Sequence, residues 1–300
     1  MANVILTLPA DMAPIAGPLL LGYLFNWGLF GVLSVQVYLY HIAFPRDHWP
    51  MKTLVYSVYL IEMVQTILVT FDAFHEYARG FGNLEALEAG GLDWIAVPAF
   101  SGIVSAMVQM HYAYRVSILS GSRMLGLGIS AIALLQGSSA IASGAQAFII
   151  GSIANLATTN AFISCTIWLA ATAACDIIIA GCMTFFLLKC DSKLPEMHAL
   201  ITRLVWLVVG TGMLTALAAT VDLALFLALP HKAYHGCVAL TLAKLYSNSL
   251  LVLLNGRIHI VGGRTHSSEQ AGDACSSTSV KSPPGVMSMI CFNSSAIYTA

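Results

Sequence analysis

GPLLLGYLFNWGLFGVLSVQVYLY, residues Gly17 to Tyr40, runs for 24 residues without one Asp, Glu, Lys or Arg. Coiled as an α-helix, such a stretch reaches about 36 Å, more than the roughly 30 Å of a bilayer's hydrocarbon core. Lipid offers no partner to a bare backbone N–H or C=O, so a segment this apolar must close its hydrogen bonds within itself, as a helix does. Six more stretches of the same kind follow, at about 51–75, 93–119, 124–150, 161–189, 203–229 and 236–257. The breaks between them carry prolines, glycines and charges, as in His41 to Pro50 and Ser120-Gly121-Ser122-Arg123, which cannot continue a buried helix. Charged residues make up 9% of the 300-residue chain and its mean hydropathy is +0.81, a balance foreign to a soluble domain of this size. The expected fold is all-α, a polytopic membrane protein built as a bundle of seven transmembrane helices over 17–258. A short extracellular N-terminus, 1–16, precedes it, and a disordered Ser/Thr-rich cytoplasmic tail, 259–300, follows.

Orientation is read from lysine and arginine, which cytoplasmic loops retain. Seven crossings put Arg46, Lys52, Arg115, Arg123, Lys189, Lys193, Arg203, Arg257, Arg264 and Lys281 on one side, and only Arg79 and Lys232 on the other. Ten against two predicts an outside N-terminus, a cytoplasmic C-terminus and a multi-pass protein of the plasma membrane. No basic residue precedes the first span, so it is expected to serve as its own insertion signal. The seven cysteines fit no disulfide framework, zinc ribbon or CxxC pair, although Cys165 and Cys237 could pair if their helices meet. The tail hydroxyls around Ser276 to Ser282 allow phosphorylation and Cys275 allows palmitoylation, both on generic grounds. With a net charge of −1 and no basic cluster, nucleic acid is not an expected partner; the bilayer, a small ligand and a cytoplasmic signalling partner are.

Several segments resemble a known group. Leu21-Gly22-Tyr23-Leu24-Phe25-Asn26-Trp27-Gly28-Leu29-Phe30-Gly31, Gln36 to Tyr40, Phe44-Pro45-Arg46-Asp47, Glu62-Met63-Val64-Gln65-Thr66, Asp72-Ala73-Phe74-His75, Gln109 with Tyr112-Ala113-Tyr114-Arg115, Cys175-Asp176 and Lys244 to Leu251 with Asn255 and Arg257 are similar to a large family of integral membrane proteins of mushroom-forming fungi that carries a domain of unknown function. The resemblance covers the spans and excludes the tail. It implies membership and brings no activity, substrate, cofactor or catalytic residue with it.

Ionisable groups inside a span are costly and usually face a bundle interior or a wet cavity. Lys244 lies eight residues after Gly236, about 12 Å deep, and Asp222 lies eight residues before Pro230, at about the same depth. An Asp222–Lys244 ion pair across the last two helices is therefore expected, with Glu62 in the second span as the other available partner. Such a polar centre either binds a ligand or fixes helix packing. A lysine in the seventh span also invites a retinal linkage, but Leu240 stands where an Asp would be needed one turn earlier, and the third span has no carboxylate counterion. Asp72, His75 and Glu76, and likewise His231 and His235, fall at helical offsets of three and four, a pattern that can hold zinc. Seven-span lipid hydrolases using comparable sets carry a serine four residues before the first histidine, where this chain has Phe71. Receptor logic fits the topology, yet the Tyr112-Ala113-Tyr114-Arg115 segment lacks the acid of a rhodopsin-like lock and Asn248 and Asn255 lack the accompanying proline. The reading is a non-enzymatic, receptor-like seven-helix protein without a cofactor, centred on Lys244, Asp222 and Glu62. A small-solute transporter is the alternative and a metal-dependent intramembrane hydrolase the third reading.

Overall fold

The computed structural model describes residues 13–80, 91–150, 160–189, 195–229 and 234–256. Seven helices long and apolar enough to cross a membrane fill these segments. They are α1 (Ala13–Ala43), α2 (Trp49–Phe74), α3 (Asp93–Ser120), α4 (Arg123–Ile150), α5 (Asn160–Lys189), α6 (Pro195–Ala228) and α7 (Tyr234–Asn255), with no strand among the described residues. The end of the bundle where α1, α3, α5 and α7 begin is called the near end below, and the opposite one the far end. The expected N-terminal segment up to residue 12, the tail from 257 on, and His231 lie outside the described residues.

Local chemistry sets the helix ends. Pro50 sits in the first turn of α2, where its missing N–H has no partner to lose. The α1–α2 turn is closed by Tyr40 Oη donating to Asp47 Oδ2 at 2.8 Å and by Lys52 Nζ donating to the Pro45 carbonyl at 2.6 Å. α3 stops at Gly121, whose φ of 68° is left-handed, a conformation that carries no Cβ penalty only in glycine. Two boundaries differ from expectation. α2 does not end at His75; it runs on through a π-helical turn, His75–Arg79, which takes Glu76 out of the loop and into the helix. α6 begins at Pro195, eight residues before Arg203, because proline is at home at a helix start.

The helices pack in chain order around a ring, with α3 touching α2, α4, α5 and α7, and α7 touching α1, α2, α3 and α6. Burial shows who is central: 78% of the apolar window of α7 is buried, 50% of α3 and only 22% of α1. Large apolar side chains such as Leu24, Ile67, Leu127, Ile177, Phe185 and Leu217 stay exposed on the outside, where lipid would cover them. Inside, Leu33, Val58, Val104, Trp168, Phe226 and Leu250 form the main core cluster, and Val116, Ile129, Ile179, Met183 and Leu253 a second one. In lipid, helix association relies on close packing rather than on expulsion of water. The tightest seam is α3–α4, where a Cβ placed on Gly102 would meet Ala140 Cβ at 2.4 Å, and one on Gly137 would meet Ala106 Cβ at 3.2 Å. Gly212 of α6 similarly faces Ala180 of α5 at 3.2 Å, whereas Gly210 meets nothing.

Candidate functional site: a polar axis through the bundle

α7 carries polar side chains on several faces and, being buried all round, must satisfy each against a neighbouring helix. Lys244 and Glu62, both wholly buried, form an ion pair between Nζ and Oε2. The same ammonium donates to Gln65 Oε1 at 2.9 Å and stands 5.9 Å from the centre of the Phe30 ring. Ser247 Oγ donates to the other Glu62 oxygen, so one carboxylate takes both a lysine and a hydroxyl from consecutive turns of α7. The charges are thereby paired and hydrogen-bonded, the condition under which buried ions persist.

Asp222 is not part of this centre. The expected Asp222–Lys244 pair does not form; Asp222 Oδ1 lies 3.8 Å from His235 Nδ1, and neither of its oxygens has a hydrogen bond. The physical reason is an offset along the axis. His235 precedes Lys244 by nine residues, about 13.5 Å of helix, so equal counting from the loop does not give equal depth. Glu62 wins because α2 places it, with Gln65 one turn on, against the face of α7 that carries Lys244 and Ser247.

A second centre lies one helix over. Tyr246 Oη donates to Asp176 Oδ2 and Gln109 Nε2 donates to Asp176 Oδ1 at 2.9 Å, joining α7, α5 and α3. Beside them a cavity of about 20 Å³ is lined by Asp176, Tyr246, Tyr112, Thr211, Thr215 and Ser249, among others. Lys244 is not in that lining; this cavity lies on the α5–α6 side of α7. Further along α4, Gln136 is held by Ser105 at 3.0 Å and by Thr172 at 2.9 Å. α1 is tied to α7 at three levels: Asn26 Nδ2 to the Leu240 carbonyl at 2.6 Å, Asn248 Nδ2 to the Leu29 carbonyl at 3.1 Å, and Asn255 Nδ2 to the Gln36 carbonyl at 2.9 Å.

The residues considered as zinc ligands separate. Asp72 and Glu76 are buried and His75 is exposed: offsets of three and four lie on opposite sides of Asp72, and only the Glu76 side faces the bundle. Glu76 Oε2 accepts from Tyr23 Oη at 3.1 Å, Tyr23 also donates to Asp93, and Asp72 Oδ2 accepts the Asp93 backbone N–H at 2.6 Å. This is a helix-start clamp at the near end, with Gly91 (φ 47°) pressed so close that a Cβ would stand 2.8 Å from Asp72 Oδ1. His235 packs edge-on against Phe226 at 5.2 Å, away from Asp72. No group of three or more His, Cys, Asp or Glu side chains among the described residues could hold a metal ion. Cys165 and Cys237 are free thiols.

The sequence assigns no site role to Gln65, Ser247, Tyr246, Gln109, Tyr23 or Asp93. Gln65 and Ser247 stand three residues after Glu62 and Lys244, an offset that puts each pair on one face and so could have found them. Asp176 was equally visible as a carboxylate inside a span.

Residues 172–259 match a family described as a family of unknown function (DUF6534). The match takes in the second half of α5, all of α6 and α7, and so Asp176, Asp222 and Lys244. No curated protein and no solved structure matches the chain.

Proposed function

We propose that the chain is a receptor-like membrane sensor that takes a small ligand and responds by moving α7. The observation that carries this reading is the way α7 is fastened: a helix buried on every side is held to α1, α2 and α5 by hydrogen bonds and one ion pair rather than by apolar packing alone. Polar contacts of this kind have discrete geometries, so a helix they hold can exchange one set for another. Spare capacity is present on the same seam, where Gln65 Nε2, Asn248 Oδ1 and Asn255 Oδ1 are buried without a partner. Such atoms are costly where they stand and would be satisfied by water, by a ligand or by a shifted α7. A carrier uses the same elements, but it must open its site to both sides in turn. No catalytic step is assigned.

The near end is taken to face outward, at the cell surface, on the strength of the ten-to-two distribution of basic residues; the ligand then arrives there and the far end meets a cytoplasmic partner. The fungal family named from sequence is taken to extend over all seven helices. An epitope tag fused at residue 1 is expected to be accessible on intact cells and one at residue 300 only after permeabilisation; the opposite pattern would reverse the orientation. Proteoliposomes containing the protein are expected to take up sugars and amino acids no faster than empty vesicles. Saturable uptake would replace the sensor by a carrier.

A further inference from the structure

We propose that Asp222 and His235 form a proton-binding site at the near end of the bundle, where one shared proton latches the start of α7 to α6. Asp222 is wholly buried, and neither of its carboxylate oxygens has a hydrogen-bond partner. Its one ion-pair contact among the described residues is His235, with Oδ1 and Nδ1 3.8 Å apart, beyond hydrogen-bond reach. An ionised carboxylate so placed has lost its water and gained no donor, a cost that keeping a proton removes. The acid form is neutral, and its O–H donates to Nδ1 once the two side chains close by less than about 1 Å. His235 is the second residue of α7, where the helix dipole disfavours an imidazolium, so in the arrangement seen the proton rests on Asp222.

Two helices, α5 and α7, pack against α6. Besides the imidazole, the titratable groups they bring close enough to feel the Asp222 charge are two thiols, Cys165 of α5 and Cys237 of α7. Lys244 is committed to Glu62. A thiol supplies no positive charge, so the imidazole is the group that can take the proton and then pair with the carboxylate. Exposure gives each residue its part. The His235 side chain is 24% exposed and that of Asp222 1%, so protons enter and leave through the imidazole. Phe226 packs edge-on against that ring at 5.2 Å and stacks on Phe162 at 4.9 Å, an apolar backing that keeps the ring beside the acid. Transfer from Asp222 to His235 turns acid and imidazole into carboxylate and imidazolium, with one proton still between them. Its release from the imidazolium to water leaves a bare carboxylate against a neutral ring, and the start of α7 is no longer held to α6. The site stands apart from the sensor reading, because its proton is read from stability and not from signalling.

The test is reversible unfolding of the full chain in mixed micelles from about pH 7 to about pH 9, where both side chains of an unfolded chain have lost their protons. The folded chain still holds one, so it binds more protons than the unfolded chain and its stability falls as pH rises. The folding equilibrium constant of the wild-type protein is expected to fall, relative to that of Asp222→Asn, by up to tenfold per pH unit. At about pH 7, Asp222→Asn and His235→Phe should be coupled by at least about twofold in the same constant when analysed as a double-mutant cycle. Parallel pH dependence in the wild-type protein and Asp222→Asn overturns the proton site, and the absence of coupling overturns the pairing with His235. Asp222→Leu, which removes the carboxylate and leaves no polar group behind, takes the place of Asp222→Asn in both measurements if the amide variant does not fold.

Discussion

Lys244→Met is expected to lower the unfolding free energy by about 3–5 kcal/mol, because it leaves Glu62 charged and buried without its cation. Glu62→Leu should cost a similar amount by stranding the ammonium, with Ser247 losing its acceptor as well. The double variant Lys244→Met/Glu62→Leu should recover much of the loss, since it removes both ions together, but not all of it. Ser247 and Gln65 remain as buried polar groups, each worth about 1–3 kcal/mol when unsatisfied. Reversible unfolding in mixed micelles, analysed as a double-mutant cycle, measures the coupling directly. Asp222→Asn combined with Lys244→Met should be additive, because Asp222 lies beside His235 and makes no contact with Lys244. Strong coupling of Lys244 to Asp222 and none to Glu62 would contradict the arrangement of α2 against α7.

Gly102→Leu is the second large effect. Even a methyl at Gly102 would stand 2.4 Å from Ala140 Cβ and 3.2 Å from the Gly137 carbonyl, and neither of these can swing aside as a long side chain would. The helices α3 and α4 must then separate, and overpacking of this kind typically costs about 1–3 kcal/mol, with leucine at or above the upper figure. Gly102→Ala paired with Ala140→Gly should restore most of the stability by moving the methyl from one helix to the other. The same unfolding assay checks both. Equal stability of Gly102→Leu and the wild-type chain would show that this seam is not closely packed.

The architecture was legible because a membrane span is a one-dimensional signal: length, hydropathy and the absence of charge are all local. That is why the seven spans fell where the seven helices lie. What misled was azimuth and offset. Asp222 and Lys244 were matched by counting residues from a shared loop, but His235 rather than Lys244 reaches Asp222, so the two helices are displaced along their axes by an amount no count from the loop reveals. His75 falls three residues after Asp72 and Glu76 four, and the two offsets diverge to either side of Asp72, so burying Glu76 leaves His75 outside. Glu62 was named as an alternative partner on depth alone, and the choice between it and Asp222 depended on which face of α7 meets α2. The Asp176–Tyr246–Gln109 junction was hidden differently. It joins three helices separated by tens of residues, and the hydroxyls that line its cavity look like ordinary helix residues until the helices are assembled.

The central claim is that α7 has two arrangements and that the Lys244–Glu62 pair favours one of them. Distances between spin labels placed at Val252 on α7 and at Met124 on α4, in a chain relieved of its native cysteines and held in lipid nanodiscs, measure this most directly. The expected result is two populated distances whose ratio shifts in Glu62→Gln, since neutralising the carboxylate weakens the hold of α2 on α7. A single distance, unchanged in Glu62→Gln, would contradict the claim and leave the polar axis as a packing device.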